Sequence, residues 1–403
     1  MSMVMNDSDI EILVGNYEEL LEPPQIAYFD PDVISFLVEL STSLLGDVES
    51  RNYGDVVAFA YWIRKSNVEV VKNKYKLAQN RVGYGMCMHI APSNVPLNFA
   101  YSLVCSLLAG NRNIVRVPSK QYPQVDFLLN KLRGILEVIE YQRVAHAICI
   151  VRYKKNDLIT KNLLSFSNIK IIWGGDNTIN EIRRIVTPPY CKEVIFPDRK
   201  SISIMDENSI LKLNNQELLK LAEKFYTDAF LFDQNACSSP RIVFWISSTI
   251  DRTGRKKFWS TLSKIADKKY HLDPKNLVLK FTELAQVIAE SDHIKFVGSP
   301  GDKLSTLEYT PNEQSLSMQL VNRFGSFFEY NLENLVSLGP MLDNRVQTVT
   351  YFGIEPQKIL ETIINSKIKG VDRIVPVGKA LDFDLIWDGY DLPLTLSRVI
   401  TFN

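Results

Sequence analysis

Apolar residues follow two alternating patterns along most of the chain. Short continuous apolar runs, typical of buried strands, alternate with longer segments in which apolar positions recur with the period of a helix. The runs predict strands over residues 85–90, 113–117, 145–151, 169–173 and 242–245, and residues 347–352 are also strand-like. The periodic segments predict helices over residues 97–109, 122–141, 177–186, 216–232, 252–271 and 355–365. Such alternation indicates βαβ units, so we predict an α/β fold with parallel sheets covered by helices on both faces.

The alternation is interrupted at the polar stretch 206–209 and then starts again. A chain of 403 residues also exceeds the size at which one hydrophobic core keeps growing. We therefore predict two domains, residues 1–205 and residues 206–379. The final segment, residues 380–403, is expected to return to the first domain or to a dimer partner.

The charges of the chain balance, because Lys and Arg total 46 and Asp and Glu also total 46. Without net charge there is no overall field that would attract nucleic acid or an anionic membrane. The longest apolar run, residues 99–110, is too short to span a bilayer. Residues 1–14 carry acidic residues rather than the basic start and apolar stretch of a signal peptide. We therefore predict a cytoplasmic protein that neither binds nucleic acid nor crosses a membrane.

Several common site motifs are missing from the sequence. The five cysteines (87, 105, 149, 191 and 237) form no CxxC pair and the four histidines are not at ligand spacing, so we predict no metal site. This cysteine usage fits a reducing compartment. Gly83-Tyr84-Gly85 begins like a dinucleotide-binding fingerprint, but Met88 stands where the third glycine is required.

The candidate nucleophile is Cys237, which lies between the predicted helix 216–232 and the predicted strand 242–245. Helix and strand ends leave backbone N–H groups that can stabilise an anion, and α/β enzymes often present a reactive side chain at such a junction. A lone cysteine is also a common packing residue. His89 is the best candidate for a cysteine–histidine pair if the fold brings it to Cys237, although an ordinary strand histidine is favoured over this role.

Several short strings occur in a fixed order from about residue 83 to the C-terminus. They are 91–96 (APSNVP), 108–111 (LAGN), 115–120 (VRVPSK), 173–176 (WGGD), 235–240 (NACSSP), 347–349 (QTV), 370–374 (GVDRI) and 387–389 (WDG). Together they resemble the aldehyde dehydrogenase superfamily, and most closely its branch of LuxC-type acyl-CoA reductases. The string around Cys237 is the most specific of them.

The resemblance implies a doubly wound, Rossmann-like domain that binds the cofactor and an α/β domain that carries Cys237. The residues that it assigns to NADP(H) are Pro92, Ser93, Arg116, Pro118, Ser119, Lys120, Gly174, Gly175 and Asp176. NAD-selective members often carry a glutamate at the position of Lys120, which would repel a 2′-phosphate. Lys120 and Arg116 would attract one, so we expect NADPH, although both are also typical of a solvated strand end.

The chemistry that the resemblance implies begins when the Cys237 thiolate attacks an acyl thioester. The oxyanion of that step needs fixed donors, and we predict the Asn94 side-chain amide and the Cys237 backbone N–H. Asn94 lies between two prolines, where a turn residue is also expected. Hydride from the nicotinamide then reduces the bound acyl group, and the thiohemiacetal collapses to an aldehyde.

One departure from the oxidising aldehyde dehydrogenases favours reduction. Those enzymes activate water with a glutamate, and Phe196 falls at that position here. A reductase must avoid hydrolysing its acyl intermediate, so the missing base suits it. If the alignment slips by a few residues, Glu193 would take the position instead.

We therefore predict an NADPH-dependent acyl-CoA reductase that forms a fatty aldehyde through an acyl-cysteine. The donor is acyl-CoA, acyl-AMP or an acylated protein, the last from an acyl-protein synthetase partner. We expect a homodimer or higher oligomer in which residues 394–402 add a strand to a neighbouring subunit. Two alternatives stay open: an acylating dehydrogenase for a short semialdehyde, and a catalytically silent scaffold subunit of an acyl-transfer complex.

Overall fold

The computed structural model describes residues 10–17, 20, 26–77, 80–247, 252–290, 294–301, 303–309 and 322–402. The chain forms two compact units. Unit 1 comprises residues 1–197 and 383–403, and unit 2 comprises residues 198–382. The chain therefore leaves unit 1, forms unit 2 and returns to unit 1.

Strands and helices alternate through both units. The strands are β1 (Glu11–Val14), β2 (Arg81–Gly83), β3 (Met86–Ile90), β4 (Arg112–Val117), β5 (Ile148–Arg152), β6 (Ile169–Trp173), β7 (Lys192–Phe196), β8 (Lys200–Asp206), β9 (Pro240–Ile246), β10 (Ile294–Gly301), β11 (Leu304–Tyr309), β12 (Ser326–Leu332), β13 (Val346–Phe352), β14 (Arg373–Pro376), β15 (Ile386–Trp387), β16 (Tyr390–Asp391) and β17 (Ser397–Val399). The α-helices are α1 (Pro31–Gly46), α2 (Gly54–Trp62), α3 (Lys65–Lys74), α4 (Asn98–Leu108), α5 (Pro123–Leu136), α6 (Gln142–Ala145), α7 (Asp157–Leu164), α8 (Asp176–Arg183), α9 (Glu207–Leu211), α10 (Asn215–Phe230), α11 (Thr253–Lys269), α12 (Pro274–Ala289), α13 (Pro356–Asn365) and α14 (Leu392–Thr395).

Unit 1 is built on a six-stranded sheet with the order β1-β5-β4-β3-β6-β7. Its strands are parallel except β1, which pairs antiparallel with β5. From β3 the chain adds β4 and β5 on one side and later β6 and β7 on the other. The sheet is therefore doubly wound, with its switch point at β3.

Helices cover both faces of this sheet because successive strand residues point to opposite faces. In β4, Val115 faces a core shared with α1, α2, α4 and α5, whereas Ile114 faces a second core shared with α7 and α8. The α/β class with helices on both faces is confirmed.

Unit 2 contains a seven-stranded sheet with the order β10-β11-β12-β9-β8-β13-β14. Only the β10–β11 pair of this sheet is antiparallel among the described strands. Helices α10 and α11 pack on one face, and α12 and α13 pack on the other. Among the described residues, no helix has both the length and the hydrophobicity that a bilayer crossing requires.

Two differences between the predicted and observed element boundaries have a clear backbone cause. The helix predicted over 122–141 ends at Leu136, because Val138 is extended (φ −73°, ψ 131°) and Ile139, which continues the apolar period, is 80% exposed. The strand predicted from residue 145 begins at Ile148 because residues 142–145 form α6.

The boundary between the units lies at 197/198, not at the predicted 205/206. Strand β8 belongs to the unit 2 sheet, and the polar stretch after it begins a helix. Asp206 caps α9 by accepting a hydrogen bond from the Ser209 N–H (2.9 Å). Polar residues that cap helices are also the residues typical of linkers, so composition alone could not separate the two.

The C-terminal segment pairs within its own chain. Strand β17 pairs antiparallel with β2, and the Asn111 side chain donates to the Leu396 carbonyl oxygen (2.8 Å). The segment from residue 383 therefore belongs to unit 1. The strand that residues 394–402 are expected to add to a neighbouring subunit stays a prediction. The homodimer itself stays a prediction.

Candidate active site

The chain between α10 and β9 places Cys237 at the amino-terminal edge of the unit 2 sheet. Asp233 and Gln234 precede it in left-handed backbone conformations, with φ of 53° and 59°. Non-glycine residues with positive φ are uncommon, and each costs of order 1 kcal/mol or more. Tertiary contacts must therefore hold this loop in place.

The Gln234 side chain supplies such contacts. It is fully buried, and its Oε1 accepts hydrogen bonds from the N–H groups of Gly325 (2.7 Å) and Ser326 (3.1 Å). Its Nε2 donates to the carbonyl oxygens of Pro240 (3.3 Å) and Ser326 (3.0 Å). Nothing in the local sequence indicates this role of Gln234, because its partners at the start of β12 lie up to 92 positions away.

Gln234→Ala should destabilise unit 2 by about 2–4 kcal/mol, because it leaves two buried backbone N–H groups without their acceptor. Urea unfolding measures this free energy. Gln216→Ala is the control, since Gln216 is an exposed glutamine of α10, and its change should stay within about 0.5 kcal/mol. Equal stability of the two variants would show that Gln234 does not hold the loop.

Cys237 is the second residue of a β-turn, and its side chain is half-buried. The Ser239 N–H closes the turn by donating to the Ala236 carbonyl oxygen (3.0 Å). The Cys237 carbonyl oxygen accepts a hydrogen bond from the Ser201 hydroxyl (2.6 Å). The thiol is thus presented on a backbone that is fixed on both sides.

The other four cysteines are poor candidates for a nucleophile. Burial raises the pKa of Cys87, Cys105 and Cys191, and it raises the pKa of Cys149 to about 12. The thiolate is the nucleophilic form, so burial disfavours the reactive form of these four side chains.

Basic side chains lie at the same edge as Cys237. Burial lowers the pKa of the Arg241 guanidinium. The negative charge of ionised Cys237 is the largest effect that raises this pKa. The attraction is mutual, so Arg241 favours the ionised thiol. Burial, followed by the charges of Arg241 and Arg345, lowers the pKa of Lys200 to about 8.

The predicted cofactor residues lie together at the carboxyl edge of the unit 1 sheet. Strands β3, β4 and β6 end at Ile90, Val117 and Trp173, and the loops that follow contain all of these residues except Arg116, which lies in β4, and Asp176, which begins α8. Ligands of open parallel sheets bind outside the carboxyl ends of the strands at the switch point. The residues present therefore suit a dinucleotide at this edge.

Two tyrosines pack against the basic residues at this edge. The Tyr122 hydroxyl donates to the Ser93 carbonyl oxygen (2.6 Å), and the exposed Lys120 ammonium lies 4.7 Å from the centre of the Tyr122 ring. The Arg116 guanidinium lies 4.5 Å from the Tyr153 ring centre, and its Nε is buried without a hydrogen-bond partner. Lys120 is thus the more accessible of the two basic residues.

The Gly174-Gly175-Asp176 string forms the start of α8. Gly175 is the N-cap, so the backbone N–H groups of the first turn face the carboxyl edge of the sheet, as in known phosphate sites. The Asp176 carboxylate lies in that first turn and would compete with a phosphate for the positive helix end. We therefore expect the backbone, rather than the Asp176 side chain, to contact a pyrophosphate.

Asn94 is exposed in the loop between β3 and α4, within unit 1. His89 is fully buried in β3, and burial lowers its pKa to about 4. Its Nδ1 contacts the Ser102 hydroxyl (2.8 Å) and its Nε2 contacts the Asn113 Oδ1 (3.0 Å). His89 is therefore a neutral core residue of unit 1 that bonds through both ring nitrogens.

Phe196, at the end of β7, is part of an aromatic cluster. It is buried and stacks on Trp173, with ring centres 3.6 Å apart, while Tyr390 meets it edge-on at 5.6 Å. A carboxylate in this apolar position would lack partners. The position at which a water-activating base was predicted to be missing thus packs as apolar core.

Glu193, the alternative base, is engaged in ion pairs. Its Oε1 lies 2.7 Å from Arg183, and its Oε2 lies 3.2 Å from Lys170. Burial acts to raise the pKa of Glu193, but the hydrogen bonds from Arg183 and Lys170 outweigh it and leave the pKa below its usual value. A general base works best with a pKa near the operating pH, so this arrangement does not favour Glu193.

Comparison with known protein families gives a match over most of the chain. The family model described as acyl-CoA reductase (LuxC) matches residues 68–399. The long-chain acyl-protein thioester reductase of Aliivibrio fischeri is 23% identical over 362 residues, which cover 88% of this chain and 69% of that protein. The reductase of the same name from Photorhabdus luminescens is 22% identical, with 79% of this chain and 63% of that protein covered.

Solved structures with the same fold are aldehyde dehydrogenases. Aldehyde dehydrogenase 21 from Physcomitrella patens, in complex with succinate, aligns with a TM-score of 0.66 and 9% identity over 94% of this chain and 86% of that one. Glyceraldehyde-3-phosphate dehydrogenase from Methanocaldococcus jannaschii, complexed with NADP, aligns with a TM-score of 0.60 and 13% identity over 92% of this chain and 88% of that one. At these identities the likeness establishes the fold, as predicted from the sequence strings.

Proposed function

This chain belongs to the acyl-CoA reductase (LuxC) family, and from that membership we propose that it reduces a fatty acyl thioester to an aldehyde through an acyl group carried on Cys237. The observation that carries this proposal is the environment of Cys237. It is half-buried on a fixed turn beside Arg241, whereas burial raises the pKa of the other four cysteines.

In the proposed first step, the Cys237 thiolate attacks the carbonyl carbon of the donor thioester. The new C–S bond to Cys237 forms first, and the bond to the donor thiolate breaks when the tetrahedral intermediate collapses. Arg241 favours the ionised nucleophile. The Cys237 N–H and the Asn94 amide stabilise the oxyanion that develops between these events. Asn94 belongs to unit 1 and Cys237 to unit 2, so their joint action stays a prediction.

The second step needs a hydride, which a bound nicotinamide cofactor supplies. The loops after β3, β4 and β6 would hold that cofactor at the switch point of unit 1. The hemithioacetal on Cys237 then loses its C–S bond, which releases the aldehyde and restores the thiol. Because Phe196 packs as core and Glu193 is ion-paired, water competes poorly for the acyl group.

We propose NADPH as the reductant because Lys120 is exposed at the end of β4. Lys120→Glu should lower the ratio of kcat/KM with NADPH to kcat/KM with NADH by about tenfold or more, since a carboxylate repels the 2′-phosphate. Lys154→Glu makes the same charge change on an exposed lysine after β5 and should leave the ratio unchanged. A wild type that uses NADH equally well would contradict the NADPH proposal.

We propose a long-chain acyl group and an acylated protein as donor, because the relatives above are named long-chain acyl-protein thioester reductases. The test is aldehyde formation with NADPH over a series of acyl-CoA lengths, compared with the same acyl groups on a protein thiol or as acyl-AMP. A maximum with long chains supports the proposal. If the rate of aldehyde formation is instead highest with the short precursors of semialdehydes, the site belongs to an acylating dehydrogenase.

Because Phe196 stands where the oxidising enzymes have their water-activating glutamate, we can predict which products form. In the reverse direction, aldehyde and NADP⁺ should give thioester far faster when CoA is present, and free acid should be a minor product. Chromatography of the products measures this ratio. Rapid formation of free acid without CoA would mean that a water-activating base exists, with Glu193 as the first residue to replace.

A further inference from the structure

A chain of two hydrogen bonds connects the nucleophile to two strands of the unit 2 sheet. The Ser201 hydroxyl, in β8, donates to the carbonyl oxygen of Cys237 (2.6 Å). The same hydroxyl oxygen accepts a hydrogen bond from the Thr348 N–H in β13 (3.1 Å). Ser201 and Thr348 are both fully buried, so neither bond competes with bulk water.

These contacts fix the peptide planes on both sides of the Cys237 Cα. The preceding plane is held by the bond from the Ser239 N–H to the Ala236 carbonyl oxygen (3.0 Å), and the following plane is held by Ser201. A peptide unit is planar, and the Ala236–Cys237 bond is trans. The direction of the Cys237 N–H is therefore set by the same contacts that orient its side chain.

The contact with Thr348 also connects Cys237 with the strand that carries the Gln347-Thr348-Val349 string. Its strand, β13, lies directly beside β8. Thr348 acts here through its backbone N–H, which orients the Ser201 hydroxyl so that its proton points to Cys237. The backbone of β13 thus supports the nucleophile from a distance of more than a hundred residues in sequence.

We propose that Ser201 is a positioning residue, which holds Cys237 so that its thiolate and its backbone N–H act together on the acyl carbonyl. This proposal rests on the proposed function. Acyl transfer requires both groups to be aligned with one carbonyl, and a misplacement of about 1 Å costs of the order of a hundredfold in rate. Alkylation of the thiol by iodoacetamide, in contrast, forms no oxyanion and needs no N–H donor.

The unit 2 sheet offers a matched control in Ser203. It lies two residues after Ser201 on the same face of β8 and is also fully buried, but its hydroxyl has no hydrogen-bond partner in the described structure. Ser203→Ala therefore removes a buried hydroxyl from the same strand without breaking a contact to the nucleophile.

The experiment measures two rates at Cys237 in the full chain, each by peptide mass spectrometry. One is acylation by a labelled long-chain acyl-CoA without reduced cofactor, and the other is alkylation by iodoacetamide. Ser201→Ala should lower the acylation rate by about tenfold or more and change the alkylation rate by less than about twofold. Ser203→Ala should leave both rates at the wild-type value, and Ser201→Thr, which keeps the hydroxyl, should restore acylation.

Equal acylation rates in Ser201→Ala and wild type would overturn the proposal. A parallel loss of both rates would also overturn it, since it would mean that Ser201 only keeps the loop folded. If Ser201→Ala does not fold, Ser201→Cys gives the same test, because a thiol of similar size makes a much weaker hydrogen bond. A wild type without any acyl adduct would instead refute the proposed function, and with it the reaction that Ser201 serves.

Discussion

Cys237→Ala should lose aldehyde formation by roughly a thousandfold or more, because no other group would carry the acyl intermediate. The same variant should lose the adduct that forms when wild type meets a labelled acyl-CoA without NADPH. That adduct should be sensitive to hydroxylamine, which cleaves thioesters. Mass spectrometry of the labelled peptide locates it.

Cys191→Ala is the matched control, because Cys191 is the other cysteine that is half-buried rather than fully buried. It should keep both the adduct and the turnover of wild type. Cys87, Cys105 and Cys149 are buried in unit 1 and should not be labelled in the folded protein. An adduct that survives in Cys237→Ala would assign the acyl group to another residue.

Asn94→Ala should lower kcat on the order of a hundredfold, with a much smaller change in KM, because an oxyanion donor acts mainly in the transition state. Steady-state kinetics with a long-chain acyl-CoA and NADPH measure both constants. A loss of less than about tenfold would return Asn94 to the role of a loop residue.

Asn94→Asp separates the two interpretations of this position. Aspartate replaces asparagine well in turns, so a turn residue should tolerate the change. A carboxylate cannot donate a hydrogen bond and repels an oxyanion. If Asn94 is an oxyanion donor, the change to aspartate should therefore abolish its function. We expect Asn94→Asp to lose at least as much activity as Asn94→Ala while the unfolding temperature stays close to that of wild type.

Local pattern was sufficient for the elements that surround the sites. The strands predicted over 169–173 and 347–352 match β6 and β13 to within one residue, because β-branched and aromatic residues, which favour strands, dominate both segments. The order of the strings around Asn94 and Cys237 was also enough to indicate the family, since these residue types recur where backbone turns and chemistry restrict the choice.

Other features depend on partners that are distant in the sequence. The boundary at 197/198 depends on which sheet β8 joins, and the polar residues after β8 cannot show this. The same limit explains why a single helix was predicted over 122–141, since the apolar period continues to Ile139 although the backbone turns away at Val138.

The sequence by itself determined the α/β class, the family and the two candidate residues Cys237 and Asn94, because each depends on residue types at short spacing. Only the tertiary structure decided how the loop that carries Cys237 is held. Gln234 and Ser201 act on the Cys237 loop through hydrogen bonds to segments up to about 150 residues away, including β12 and β13. The sequence around Gln234 and Ser201 does not indicate these partners. The order and register of the strands, rather than the periodicity of the sequence, bring the two residues into contact with them.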